Sequence, residues 1–146
     1  LTLLIFLTLL SCGYSSIYSK NTKTNFSITS IDLKGDNEIN NHIIRKLSKY
    51  KNINDEKKYS INGVSIYNKI PVAKDKTGKA TKYELVASIN LQIINNKKST
   101  NLSVTETFKI DNDDDNFEQF KYEKKVKNNL SKLLLEELML NLIKIE

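Results

Sequence analysis

Residues 83–93, which read YELVASINLQI, show the clearest periodic pattern in this chain. Their apolar side chains stand at every second position, namely Tyr83, Leu85, Ala87, Ile89, Leu91 and Ile93. Successive side chains of a strand point to opposite faces, so this pattern predicts a strand with one buried face. After the turn residues 95–98, alternation resumes at Leu102, Val104, Phe108 and Ile110, which predicts a return strand and an antiparallel hairpin.

Two further strands are predicted before this hairpin. Residues 26–34 alternate with one slip of phase near Thr29, which is typical of a β-bulge. Residues 59–70 alternate on both sides of Gly63, so this glycine marks either a bulge or a close approach of two backbones. Pro71 is expected to end that strand because it has no N–H to donate to a neighbour.

Two amphipathic helices complete the predicted architecture. The first carries apolar residues three and four apart (Ile39, Ile43, Leu47 and Tyr50), and Asp36 or Asn37 caps its start. The second covers residues 117–145 without Gly or Pro. Its predicted buried stripe is Val126, Leu130, Leu133, Leu134, Leu138, Leu142 and Ile145. The order β-α-β-β-β-α predicts an α+β fold in which two helices pack on one face of a four-stranded, mostly antiparallel sheet.

An apolar run at the start of the sequence leads to its only cysteine, Cys12. At about ten uncharged residues, the run is too short to span a bilayer, which needs ~20. Residues 9–13, LLSCG, resemble the lipobox at which bacterial lipoproteins are cut and the cysteine is lipidated. We therefore expect residues 1–11 to be a signal-peptide remnant, residues 12–25 to be the lipidated N-terminus and tether, and Cys12 to be the lipidation site. The alternative is a buried strand or helix that ends in a structural cysteine.

The lipobox also predicts where the protein resides. Two or three acyl chains, each contributing roughly 0.8 kcal/mol per buried methylene, hold a protein on a membrane almost permanently. An aspartate directly after the cysteine would resemble an inner-membrane retention signal. The residue here is Gly13, so the outer membrane is the favoured location. We expect a lipid-anchored protein on the periplasmic face of the outer membrane, in contact with outer-membrane lipid through the acyl anchor. The rival class is a soluble secreted domain with an ordinary signal peptide.

Composition narrows the remaining choices. The chain has 146 residues, of which 39% are hydrophobic, so residues 26–146 are expected to form a single α/β sandwich domain around one core. Its formal net charge is +6, nearly all from lysine. A basic surface suits nucleic acid, anionic lipid or acidic glycan. The export signal, and the lack of a basic stripe interleaved with aromatic residues, argue against nucleic acid as a partner.

The sequence predicts no catalytic or metal-binding group. His42 is the only histidine and lies on the polar side of the first helix, without the partner that a nucleophile or zinc site needs. The acidic run 111–116 lacks the Gly and Glu of a calcium loop, so negative charge before the last helix is the favoured interpretation. Strand phase places Glu84 and Glu106 on opposite faces. We therefore expect a protein that is not an enzyme and has no cofactor.

The segment 72–82 is predicted to be a basic loop, and it is the one candidate binding site. Its lysines are Lys74, Lys76, Lys79 and Lys82. Clustered ammonium groups can neutralise the phosphates of a lipid headgroup, each contributing roughly 1 kcal/mol near a membrane surface. A solvated hairpin tip without a ligand is the equally favoured alternative.

In the order of these elements, the chain resembles the LPS-assembly lipoprotein family (LptE, rare lipoprotein B). The resemblance starts with SCGY at 11–14 and continues through 64–94, with AKD at 73–75, Gly78 and YEL at 83–85. It ends with a return strand that enters a long amphipathic helix with Glu123 near its start. One departure is the junction between that strand and helix, which is often small and apolar in relatives and is strongly acidic here.

The resemblance implies two helices against a four-stranded sheet. It also implies a non-enzymatic role as the plug and assembly partner of the outer-membrane β-barrel (LptD-like) that delivers lipopolysaccharide (LPS) to the cell surface. Relatives bind LPS through basic residues near the hairpin tip, which correspond here to Lys76, before Gly78, with Lys74, Lys79 and Lys82 as neighbours. The alternative is an unrelated outer-membrane lipoprotein that faces the periplasm and acts as a binding or adapter module.

Overall fold

The elements follow one another in the predicted order. The computed structural model describes residues 26–51, 57–96 and 98–145, so Cys12 and the predicted signal remnant and tether lie outside the described residues. The elements are β1 (Phe26–Gly35), α1 (Asn37–Leu47), β2 (Lys57–Lys74), β3 (Ala80–Asn95), β4 (Lys98–Asp111) and α2 (Asn116–Lys144), with a short 3-10 turn, Ser48–Tyr50, after α1. The fold is α+β, as predicted.

The four strands form one sheet in the order β1-β2-β3-β4. Strand β1 runs parallel to β2, whereas β3 runs antiparallel to both of its neighbours, β2 and β4, so the sheet is mostly antiparallel. The parallel pair requires a crossover, which α1 supplies. The register of β1 against β2 shifts between Ile28 and Ser30, which confirms the bulge predicted near Thr29.

Both helices cover the same face of the sheet, and the core lies between them and the strands. Its members are Phe26, Ile28, Ile39, Ile43, Leu47, Tyr59, Ile61, Leu85, Ala87, Ile89, Leu91, Ile93, Val104, Ile110, Val126, Leu130, Leu134, Leu135, Leu138 and Leu142. Every member of the 83–93 pattern except Tyr83 is buried. On the opposite face, Val64, Ile66 and Ile70 of β2 remain 44%, 42% and 43% exposed, because no helix covers them.

The hairpin of β2 and β3 is longer than predicted. Pro71 does not end β2, which continues to Lys74. The register against β3 instead shifts between Pro71 and Ala73 and again before Lys74. Local irregularity accommodates the missing N–H, so the strand continues beyond the proline. The predicted loop 72–82 therefore shortens to a turn between Lys74 and Ala80.

The buried stripe of α2 differs from the predicted one at two positions. Leu133 is 45% exposed, whereas Leu135 is 8% exposed and packs in the core. The core positions from Leu130 to Leu142 recur every four residues, which turns Leu133 away from the sheet. Ile145 lies beyond the helix end, where its carbonyl accepts a hydrogen bond from the Tyr59 hydroxyl at 3.0 Å. Within the described residues, neither helix combines the length and the apolar character that a membrane span requires.

The junction between β1 and α1 is tightly fixed against β2. Asp36 caps α1, and its carboxylate accepts from the N–H groups of Glu38 and Ile39 at 3.1 and 3.0 Å. Gly35 has a φ of +99°, and a Cβ there would lie 1.9 Å from the Ser65 carbonyl oxygen, so only glycine fits. At Gly63 a Cβ would lie 2.5 Å from the Asn90 carbonyl oxygen. The close backbone approach predicted at Gly63 is therefore confirmed.

Candidate ligand-binding site at the hairpin tip

The turn that joins β2 to β3 is organised by Asp75. Its carboxylate accepts hydrogen bonds from the Thr77 N–H at 2.8 Å, the Thr77 hydroxyl at 2.6 Å and the Lys79 N–H at 3.0 Å. The bond from the Thr77 hydroxyl is the main reason that the pKa of Asp75 is lowered, and the two backbone bonds add to it. The turn thus holds its lysines on an ordered backbone.

The four lysines predicted to bind LPS gather at this end of the sheet, but they fall into two groups. Lys79 Nζ lies 2.6 Å from Asp114 Oδ1, and Lys82 Nζ lies 3.2 Å from Asp111 Oδ1. Lys74 ends β2 and Lys76 lies in the turn, and neither forms an ion pair within the described residues. The acidic segment thus supplies an exposed partner to two of the lysines, whereas Lys74 and Lys76 have no acidic partner in the described residues. We call the four lysines together the tip lysines.

The acidic run that neutralises these lysines also caps α2. The Asp115 carboxylate accepts from the N–H groups of Phe117 and Glu118 at 2.9 and 3.2 Å, and Asp113 accepts from the Asp115 N–H at 2.9 Å. These carboxylates face backbone amides, which is the predicted role of negative charge at the start of a helix. Among the described residues, no group of three or more His, Cys, Asp or Glu side chains is placed to hold a metal ion.

Exposed aromatic side chains surround the start of α2, close to the tip lysines. They are Phe108, Phe117, Phe120 and Tyr122, with exposed fractions of 45%, 70%, 66% and 46%, and we call them the tip aromatics. They were not predicted from the sequence, although the helical phase of α2 indicates that its aromatic residues face away from the core. Phe117 stands nine positions before Val126, which at about 100° per residue places it about half a turn from the buried stripe. A basic and aromatic surface of this kind suits a ligand with both phosphate groups and apolar chains.

A second set of contacts fixes α2 against the hairpin just behind the tip. Lys69 of β2 forms an ion pair with Glu123 of α2, and its Nζ lies 4.1 Å from the centroid of the Tyr83 ring. Gln119 donates to the same Glu123 carboxylate at 2.8 Å. The tip lysines and tip aromatics are therefore held in one arrangement by contacts between their elements.

The remaining candidate pair from the sequence, Glu84 and Glu106, is not brought together. Glu106 pairs in register with Ala87, whose side chain is buried, whereas Glu84 pairs with Ile70 and Lys109 on the open face. The two carboxylates lie on opposite faces of the sheet, as predicted.

The fold recurs in solved structures of bacterial lipoproteins. Rare lipoprotein B from Shewanella oneidensis superposes with a TM-score of 0.52 and 10% sequence identity, over 79% of this chain and 91% of that one. Lipoprotein B from Nitrosomonas europaea gives a TM-score of 0.52 and 12% identity, over 80% of this chain and 83% of that one. A protein from Caulobacter crescentus described as a lipoprotein gives a TM-score of 0.53 and 12% sequence identity, over 80% of this chain and 88% of that one.

Comparisons of sequence add no relatives. No protein-family model matches the chain, and no curated protein matches it either. The resemblance to rare lipoprotein B, predicted from short motifs, is confirmed at the level of the fold by the solved structures. At 10–12% identity, this likeness is one of architecture.

Proposed function

We propose that this chain is an outer-membrane lipoprotein, anchored through Cys12 on the periplasmic face, that assists assembly of LPS at the cell surface. Its role would be non-enzymatic, as the plug and assembly partner of an LPS-export β-barrel. The observation that carries the proposal is the fold shared with rare lipoprotein B over 79% of this chain. Because a shared fold does not by itself imply a shared function, the proposal also needs support from the site and from the anchor.

The position of the predicted anchor is compatible with this role. Thirteen residues separate Cys12 from Phe26, and they span at most about 45 Å when fully extended. Phe26 pairs with Lys57 at the start of β2, whereas Lys74 lies at the other end of the same 18-residue strand. At ~3.3 Å per residue, β2 is about 60 Å long. An anchor at Cys12 would therefore attach at the end of the body opposite the tip, leaving the tip free to meet a ligand or partner.

The tip has the chemistry that LPS requires. Lys74 and Lys76 offer two ammonium groups without an acidic partner in the described residues, and the tip aromatics offer exposed apolar surface around the start of α2. Phosphate groups of an amphiphilic glycolipid would bind the lysines, and its acyl chains would contact the aromatic rings.

The partner proposal is tested by affinity purification of the acylated, full-length protein from detergent-solubilised outer membranes. We expect it to co-elute with an LPS-export β-barrel and to unfold at a higher temperature in the complex, because a partner that binds only the folded state stabilises it. Recovery of peptidoglycan fragments or a periplasmic enzyme complex instead of the barrel would contradict the proposal. It would favour an unrelated binding or adapter lipoprotein.

The anchor is tested by mass spectrometry of the mature N-terminus. We expect cleavage before Cys12 and acyl chains on this cysteine, and we expect Cys12→Ala to block both. An unmodified Cys12, or normal processing of the alanine variant, would rule out a lipid anchor at this cysteine.

A further inference from the structure

A second basic cluster lies far from the tip, where α1 packs beside α2. It consists of His42, Arg45 and Lys46, whose spacing places them on one side of α1, and of Lys132 on α2, whose charge acts on the His42 ring, and we call it the helix-groove cluster. His42 is half-buried, and the three cations are exposed around it, so it lies on the polar side of α1 as predicted. Within the described residues, none of these three cations forms an ion pair.

The carboxylates at the start of α1 do not neutralise this cluster. Asp36 and Glu38 instead bind Lys127, at 2.7 and 2.8 Å from its Nζ. The helix-groove cluster therefore keeps its positive charge.

The tautomer of His42 follows from its neighbour. Arg45 Nη2 lies 3.4 Å from His42 Nδ1, and a guanidinium group can only donate hydrogen bonds. Nδ1 must therefore accept, which places the proton of the neutral ring on Nε2. Nε2 is buried and has no hydrogen-bond partner. The cluster thus holds a covered N–H donor that lacks an acceptor, with cations around it.

The electrostatics of the ring agree with this geometry. Burial is the largest cause of the lowered pKa of His42, followed by the positive charges of Arg45, Lys46 and Lys132. Every charged group that acts on the ring is thus a cation. A bound anion would compensate all three and would supply the missing acceptor.

We propose that His42, Arg45, Lys46 and Lys132 bind a phosphate group where α1 packs beside α2. A phosphate offers several acceptor oxygens, so it can take donation from Arg45 and from the ammonium groups of both lysines, and rotation of the His42 ring would bring its covered Nε2–H to the same ion. The phosphate is either a free ion or part of a lipid headgroup. The site is separate from the tip lysines and does not depend on the function proposed for them.

His42 provides a direct measurement, because it is the only histidine of the 146-residue chain and its ring signals need no separation from others. Titration of the full chain with inorganic phosphate is expected to shift the His42 ring signals in NMR spectra in a saturable way and to raise the pKa of His42. Chloride at matched ionic strength should leave these signals unmoved. The absence of a phosphate-specific shift would overturn the proposal.

Variants test whether the named residues form the site. Arg45→Gln and Lys132→Gln should each weaken phosphate binding about fivefold, the effect of one cation near an anionic group. Lys124→Gln is the matched control, since Lys124 is an exposed lysine on α2 without an ion pair in the described residues. Equal phosphate affinity in all three variants, with unchanged thermal unfolding, would refute the assignment.

Vesicles distinguish the two sources of phosphate. Phosphatidylcholine vesicles with and without phosphatidic acid are mixed with the same variants, made without residues 1–12 so that neither the apolar run nor an acyl chain inserts into the bilayer, and with Lys74→Glu/Lys76→Glu to remove the tip contribution. Loss of binding to the phosphatidic acid vesicles in Arg45→Gln and Lys132→Gln identifies a lipid headgroup as the ligand. If only inorganic phosphate responds to these substitutions, the site takes a soluble phosphate.

Discussion

Two lysine–aspartate pairs of nearly equal length occupy very different surroundings in this protein. Lys127 and Asp36 lie 2.7 Å apart, with side chains that are 16% and 18% exposed. Lys79 and Asp114 lie 2.6 Å apart, but their side chains are 60% and 87% exposed. Water and salt screen the second pair almost completely, whereas the first is shielded by the helices and sheet. Burial, and not the distance, decides which pair holds the fold together.

The buried pair also connects more of the structure. Lys127 binds Asp36 and Glu38 and lies 4.6 Å from the centroid of the Tyr67 ring, so it links α2 to the start of α1 and to β2. Burial would raise the pKa of Asp36, but the hydrogen bond from Lys127 and the N–H groups of α1 outweigh it and lower that pKa. The tip pair connects only a turn to a helix start. The Lys127 region thus serves stability, and the pair at the tip contributes little to it.

The largest expected effect is the loss of the buried cation. Lys127→Ala should lower the free energy of unfolding by about 2–3 kcal/mol, because it leaves two carboxylates without their shared partner. Urea denaturation gives this value. Lys124→Ala, an exposed change three residues earlier in α2, should cost less than about 0.5 kcal/mol. Similar losses in the two variants would remove the basis for the comparison.

Charge reversal at the tip should affect binding and not stability. Lys74→Glu/Lys76→Glu should weaken LPS binding by about 1–3 kcal/mol, most clearly at low salt, and leave the unfolding temperature nearly unchanged. The paired Lys79 is left intact in this design. As a control, Lys58→Glu/Lys98→Glu changes the net charge equally at exposed positions near the opposite end of the sheet. If the two double variants bind LPS with the same affinity, the tip lysines are solvated and do not bind this ligand.

A smaller effect is expected in the acid dependence of stability. The pKa of Asp36 is lowered from its ordinary value of 3.8, so its contribution is complete above pH 3.8 and is lost as the pH falls through the pKa of the folded state. Asp36→Asn should therefore lower stability near neutral pH and flatten the decline below pH 3.8. Thermal unfolding at a series of pH values measures this. An unchanged decline in the variant would assign it to other carboxylates.

The smallest effect is expected at the exposed pair. The hydrogen bond from Lys79 lowers the pKa of Asp114, and the same bond raises the pKa of Lys79, but both side chains stand in water. Lys79→Ala should change the unfolding temperature by less than about 2 °C. A larger decrease in the unfolding temperature that persists at high salt would mean that the tip pair stabilises the fold.

Much of the fold followed from short-range patterns in the sequence. Alternation in 83–93 predicted β3, the slip near Thr29 predicted the bulge, and Asp36 was one of two residues predicted to cap α1. Local features of this kind depend on backbone geometry and on burial of one face, which the sequence records directly. The run of β2 past Pro71 was not foreseen, because the hydrogen bonds that maintain it come from β3.

The candidate site was only partly predictable, because its contacts also join elements that are distant in sequence. The sequence located the four tip lysines in one segment, but it could not reveal that Asp111 and Asp114 neutralise two of them. Those aspartates come from the end of β4 and the segment before α2, and only the folded sheet brings them next to the hairpin.

The order of elements and the buried face of each strand follow from local sequence patterns, because hydrophobic burial acts on every second or every fourth residue. Which charges are paired and which are screened by water depends on the packing of distant elements. Ion pairs such as Lys127 with Asp36 join residues 91 positions apart. Their strength depends on the water that the fold excludes, and no local pattern encodes that exclusion.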